Sequence, residues 1–342
     1  MLSKTTYATL FLGCVMMLLG SCNKESDSSN TKTTIDGLTQ GTFFNIAYYG
    51  NQDNEQIKQG IDSILKAIDN CFSLWNENST TVRINKGENV VVDKMFREVF
   101  TQSQEISTLT EGAFDITIGE LVKLHGFANK ERRTLSDEEI RSLLQFVDYN
   151  KVSIDANGHL VKQSNTELDF NAIVQGYSTD VISDYLISKG INNFIVNVGG
   201  EVYAQGTKPN NQSWTVAIEE PASDSLSDVT YKYVIELKNQ SVVTSGSYRK
   251  YYEKNGVKYS HIIDPRTGKP VTHTLLSVSV LANKSYMADG LATAFMVMGL
   301  DKAKAFLDKH KQYEAYFIYS DEQGKYQTYA TEGFLKKMKK VN

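Results

Sequence analysis

Apolar residues at three- and four-residue spacing (Ile57, Ile61, Ile64, Leu65, Ile68) predict an amphipathic helix over 53–74. A second helix is predicted over 93–109, with Asp93 as its N-cap. A third spans 136–146, where Ser136 and Glu139 occupy the two positions of a capping box. Further helical patterns cover 112–124, 173–188, 285–298 and 302–311. Alternating or β-rich runs predict strands at 41–49, 166–170, 193–198, 201–205, 213–219, 231–237, 241–247, 257–262, 277–282 and 313–319. Asn157-Gly158 joins two short strands near 152–154 and 160–162 as a hairpin. The polar stretch 222–228 reads as a surface loop. Helices and strands mix without regular βαβ alternation, so the expected fold class is α+β.

The first residues form a separate unit. Lys4 precedes an apolar run from Ala8 to Leu19. That run is too short for a spanning helix, which needs roughly 20 residues, but it suits a signal-peptide core. Leu19-Gly20-Ser21-Cys22 resembles a bacterial lipobox, which makes Cys22 the expected lipidation site. The polar segment from Asn23 to Thr34 has no aromatic residue and reads as a linker. The expected organisation is a lipoprotein signal peptide at 1–21, a flexible tether at 22–36 and one large domain at 37–342. Localisation would be the bacterial cell envelope, with the domain outside the cytoplasm and held to a membrane by the anchor alone.

Of the 3 cysteines, only Cys71 falls in the mature domain, inside an apolar helical pattern, where it reads as a buried small hydrophobe. A net charge of -4 argues against a nucleic-acid binder. The Lys-rich stretch 336–340 reads as a solvated helix end.

Candidate chemistry sits late in the chain. His261 precedes Asp264 by three residues, entering a turn marked by Pro265 and Gly268. A neutral imidazole there suits a general base, and it equally suits a histidine bonded to turn carbonyls. Asp289 and Thr293 share one helix face at i and i+4. A carboxylate and a hydroxyl together suit Mg²⁺, a hard cation, while helix capping is the structural alternative. Gly199-Gly200 and Thr244-Ser245-Gly246-Ser247 are points where backbone can approach phosphate oxygens, though turn chemistry explains them as well.

Taken in order, the motifs resemble the ApbE family of FAD:protein FMN transferases from about Gly37 to Tyr319. The resemblance rests on Gln40-Gly41-Thr42, Phe72-Ser73-Leu74-Trp75 with Ser79 and Asn85, and the run Gly112 to Thr117. It continues through Leu168 to Tyr177, Asn197 to Glu201, Thr244 to Tyr248, Ser260 to Gly268 and the Asp289/Thr293 helix. One such motif is weak evidence; eight in the family's order are strong. The chain departs from the family at Gln40, where methionine is common. It departs again at Asn171-Ala172-Ile173-Val174-Gln175-Gly176, where Gln175 replaces a usual lysine.

The resemblance implies a T-fold-related α+β domain that uses Mg²⁺ and takes FAD as substrate. FMN would pass to a threonine hydroxyl of a separate exported redox protein, releasing AMP. By position, Ala172 (main-chain carbonyl), Asp289 and Thr293 would hold the metal. Gln40, Trp75, Ala113, Phe114, Asp115, Asp169, Gln175 and Ile263 would line the FAD, and His261 would be the base. Two other readings use much of the same equipment: a FAD pyrophosphatase giving FMN and AMP, and a non-enzymatic flavin-binding lipoprotein.

Overall fold

The computed structural model describes residues 31–126, 135–222, 225–246, 251–254, 257–260 and 262–341. Its centre is an eight-stranded sheet whose spatial order follows the chain. The strands are β1 (Lys32–Thr39), β2 (Thr42–Tyr49), β3 (Phe194–Val198), β4 (Glu201–Gln205), β5 (Gln240–Gly246), β6 (Leu275–Ala282), β7 (Glu314–Ser320) and β8 (Tyr326–Ala330). Every neighbouring pair is antiparallel. The α+β expectation therefore holds.

The helices are α1 (Asn54–Phe72), α2 (Thr80–Asn85), α3 (Lys94–Leu109), α4 (Gly119–Leu124), α5 (Asp137–Leu144), α6 (Val174–Ser188), α7 (Ser285–Met298), α8 (Leu300–Lys309) and α9 (Glu332–Lys337). The caps form as predicted. Asp93 accepts from Phe96 N, and Ser136 and Glu139 close a capping box on α5. Among the described residues no helix is long and apolar enough to cross a membrane.

Strand alternation sorts the core into two faces. On one face, Phe44, Ile46, Tyr48, Phe194, Val196 and Val198 pack with Ile57, Ile61 and Leu65 of α1 and Ile182 and Leu186 of α6. Farther along the same layer, Val278, Val280 and Phe317 share a cluster with Leu291 and Phe295 of α7. On the other face, Ala47, Val202, Val242, Leu281, Tyr316 and Ile318 meet Trp214, Ile218, Ile235 and Leu237 of a hairpin, with Phe334 of α9. Because both faces are covered, β6 is buried almost throughout and reads Leu-Leu-Ser-Val-Ser-Val-Leu-Ala. α7 is apolar nearly all round for the same reason, being buried from Met287 to Val297 except at Thr293.

Several expectations are corrected. Lys32–Thr39 is a strand, so the sheet begins inside the segment read as a tether; its polar residues are held by the backbone ladder to β2. The hairpin of Trp214–Ala222 and Ser225–Leu237 extends through most of the stretch read as a loop, since a paired ribbon satisfies its backbone whatever its side chains. Residues 166–170 form no strand. Asn85 takes the place of a partner there, its side chain accepting from Leu168 N at 2.8 Å and donating to Leu168 O at 2.9 Å. The helix expected over 112–124 begins only at Gly119, because Asp115 Oδ1 accepts from Thr117 N and Thr117 Oγ1 and folds the chain into a side-chain-bonded turn. At the C-terminal end, α9 gives way to a strand, Met338–Lys340, that pairs with residues 233–235.

Candidate functional site

The sheet, the N-terminal turns of α6 and the middle of α7 enclose a cleft of about 1350 Å3. Its lining includes Gln40, Trp75, Ala113, Phe114, Asp115, Asp169, Ala172, Gln175, Ile263, Asp289 and Thr293. The fold thus brings together every sequence-predicted site residue that lies among the described ones. His261 and Cys22 lie outside them, as do Ser247 and Tyr248; Ile262 and Ile263, next to His261, line the cleft.

Each wall is built by local chemistry. Gln40 and Gly41 both have positive φ (49° and 72°), which makes the tight turn between β1 and β2. Gln40 Nε2 donates to Ser178 Oγ at 2.6 Å, tying that turn to α6. Trp75 follows α1 and stands at the rim, 60% exposed, with Phe43 of β2 also half in solvent. Ala113 and Phe114 are buried beside Asp115, whose Oδ2 accepts from Tyr149 N at 2.9 Å. Burial pushes the Asp115 carboxyl up, against the pull of its Thr117 and Tyr149 donors. Asp169 is also pushed up by burial and accepts from Asn171 N at 2.8 Å. At the floor, Thr244 Oγ1 and Ser279 Oγ are 2.7 Å apart.

Gly199 and Gly200 end β3 with φ of 69° and 118°. A Cβ on Gly199 would come within 3.0 Å of Gln175 Nε2 and Glu201 Oε2, so glycine there lets the strand end close on α6. Asp264 is occupied by its own turn. It accepts from Arg266 Nε and Nη2, both at 2.8 Å, and its carbonyl accepts from Gly268 N. Sequence reasoning passed over Ser277, Ser279 and the contribution of Val216 to Ile218 from the hairpin. Their only signal was strand alternation, which does not say which face a cleft will use.

Asp289 is buried, and among the described residues its one hydrogen-bond donor is Gly176 N, at 3.0 Å to Oδ2. Burial, with the Asp180 charge adding to it, pushes its carboxyl up to about 7. A buried carboxylate of this kind calls for a compensating cation. The described lining also holds Asp69, Asp115, Asp169 and Glu201 but no lysine or arginine. Among the described residues no three His, Cys, Asp or Glu side chains cluster as a metal-ligating set. The donors present are one carboxylate, the Thr293 hydroxyl and main-chain carbonyls. They fit Mg²⁺, which takes few protein ligands, keeps waters and shares its shell with substrate phosphates.

Fold and cleft together define an α+β protein built around a cleft of about 1350 Å3 with a hard-oxygen corner at Asp289 and Thr293. The ApbE family pattern matches residues 40–317. A protein of Vibrio cholerae named FAD:protein FMN transferase is 33% identical over 93% of this chain and 95% of its own length. The protein of that name from Haemophilus influenzae is 31% identical, covering 85% and 87%. Among solved structures, the flavin transferase ApbE of Vibrio cholerae has a TM-score of 0.81 at 31% identity, over 90% of this chain and 99% of that one. The apo form of the flavinyl transferase ApbE of Pseudomonas stutzeri also has a TM-score of 0.81, at 31% identity, covering 90% and 96%. The chain belongs to the ApbE family.

Proposed function

We propose that this protein transfers FMN from FAD to a threonine hydroxyl of a separate exported redox protein and releases AMP. Family membership carries flavin-transferase chemistry to the chain. The observation that supports the reading most is the convergence of all the described candidate residues, drawn from positions 40 to 293, on one cleft. A cleft of about 1350 Å3 is ample for an extended dinucleotide.

Trp75, Ala113, Phe114 and Ile263 offer flat and apolar surface to a ring system, and Gln40, Asp169 and Gln175 offer polar edges. Ala172 through its carbonyl, with Asp289 and Thr293, would hold Mg²⁺. That ion supplies charge neutralisation for a pyrophosphate in a cleft whose described lining is acidic. The replacement of lysine by Gln175 increases this need. His261 takes the proton from the acceptor threonine Oγ. A bond then forms between that oxygen and the FMN phosphorus, and the bond from that phosphorus to the bridging oxygen breaks. AMP leaves with the bridging oxygen.

In this reading Cys22 carries a lipid that holds the enzyme at the cell envelope, so the acceptor meets it outside the cytoplasm. Replacing Cys22 with Ser should release the protein from membranes without changing its chemistry.

The test of activity is incubation of purified protein with FAD, Mg²⁺ and a threonine-bearing acceptor peptide, followed by mass spectrometry. Covalently flavinylated peptide and one AMP per transfer are expected. His261→Ala should lose at least about 100-fold in rate, in line with removal of a general base, while FAD still binds. Full activity in that variant would remove His261 from the role. AMP released at full rate without acceptor would identify a FAD pyrophosphatase instead.

A further inference from the structure

Helices α6 and α7 cross at their N-terminal turns, and each caps the other. From α7, Asp289 Oδ2 accepts from Gly176 N, in the first turn of α6. From α6, Asp180 Oδ1 accepts from Ser285 N at 2.9 Å and Oδ2 from Tyr286 N at 3.0 Å, the first two amides of α7. Neither helix is capped by its own N-cap side chain, since Ile173 and Lys284 make no such bond. Gly176 and Asp180 are one turn apart on α6, as Ser285 and Asp289 are on α7. The four positions therefore close a rectangle across the helix crossing.

One corner of that rectangle, Asp289, lines the cleft. Asp180, at the opposite end of the clasp, is only 6% exposed and absent from the cleft lining. It faces the two free amides at the start of α7, with Lys284 the cation nearest in influence. We infer that Asp180 is a positioning residue that sets metal affinity by fixing the register of α7 against α6.

The argument is geometric and rests on the Mg²⁺ reading above. Asp289 lies one turn and Thr293 two turns beyond Ser285, so any slide or rotation of the α7 start is carried to both. Ala172 lies on the other body, in the turn leading into α6. The spacing between the α7 oxygens and the Ala172 carbonyl is thus held at two points: the Gly176–Asp289 bond and the Asp180 clasp. The first involves a candidate metal ligand itself. Asp180 is the one independent of the metal. Asp180→Asn preserves shape but leaves one acceptor oxygen for two amides and sets an NH2 donor against the second.

The experiment titrates full-length protein with Mn²⁺ in the absence of FAD and follows loss of the free-ion electron paramagnetic resonance signal. Asp180→Asn should bind Mn²⁺ roughly 10–100-fold more weakly than wild type, the range for outer residues that orient ligands. The Mg²⁺ concentration for half-maximal transfer should rise in parallel, with kcat at saturating Mg²⁺ within about two-fold of wild type, because Asp180 does not touch the reacting atoms. A variant with unchanged Mn²⁺ binding, or one whose kcat alone falls, overturns the assignment and leaves Asp180 a packing residue. If wild type itself binds no Mn²⁺, the metal reading fails and this inference with it. Should Asp180→Asn not fold, Asp180→Ser keeps one acceptor oxygen. It should give a smaller shift in the same direction, and no shift there is equally decisive against the role.

Discussion

Replacing Gly176 with Ala adds one methyl group where the two clasped helices touch. That methyl would lie 2.5 Å from the Ser285 carbonyl oxygen, 2.7 Å from its carbon and 2.8 Å from Asp289 Cβ. Two of these neighbours are backbone atoms in a buried helix, so no flexible side chain can swing away. Ordinary contact begins near 3.4 Å, so the helices must part by about 0.9 Å (3.4 − 2.5). The Gly176–Asp289 bond, now 3.0 Å, would then stretch to about 3.9 Å, beyond hydrogen-bonding range.

Overpacking of this kind costs about 1–3 kcal/mol, and losing a hydrogen bond to a charged group about 1.5–3 kcal/mol. The better helix propensity of alanine returns about 1 kcal/mol. A net loss of about 1.5–5 kcal/mol follows, or a fall in Tm of about 3–10 °C at roughly 2 °C per kcal/mol for a domain of this size. Thermal unfolding followed by circular dichroism measures it, with a second scan in Mg²⁺. The parted helices should give less stabilisation by Mg²⁺ than wild type shows. A variant that melts with wild type and keeps its Mg²⁺ response would refute the close-crossing argument.

Chelation of divalent ions should stop transfer, and Mg²⁺ should restore it; Asp289→Asn should need far more Mg²⁺ for the same rate, read from initial rates across a Mg²⁺ series. Cys71 is buried, and burial pushes its thiol up to about 12 from an ordinary 9.0. The unfolded chain releases that proton first as pH rises, so ν_U falls below ν_N and stability drops between pH 9 and 12. Cys71→Ala should lose less stability than wild type over that window, by up to about 1.4 kcal/mol per pH unit, in denaturant melts at pH 8 and 10.

Local signals carried much of this fold. Asp93 and the Ser136/Glu139 pair stop or start helices through bonds that span three residues, so they are visible in a short window. Failures came where a distant group replaced a local partner. Nothing near Leu168 says that Asn85 will pair with its backbone, and nothing near Lys32 says that β2 will supply a ladder. The site divides the same way. The family motifs located Asp289, Thr293 and Gln175, which the fold places in one cleft. Asp180 carried no motif weight because its partners lie 105 and 106 residues away. The acidic bias of the described lining is likewise a property of the assembled cleft, not of any segment.

The sheet's order has a consequence for how the molecule forms. β2 pairs with β3, yet Tyr48 and its partner Phe194 are 146 positions apart (194 − 48). Closing that span from a short-hairpin length is about five doublings, or about 3 kcal/mol of loop entropy, which the intervening helices must offset by collapsing first. A chain made from its N-terminus therefore carries the β1–β2 hairpin without a third strand until Val198 has emerged. The cleft waits longer still, for Thr293 and Ile318. Folding should be slow and governed by these long-range contacts, with substrate binding among the last properties to appear.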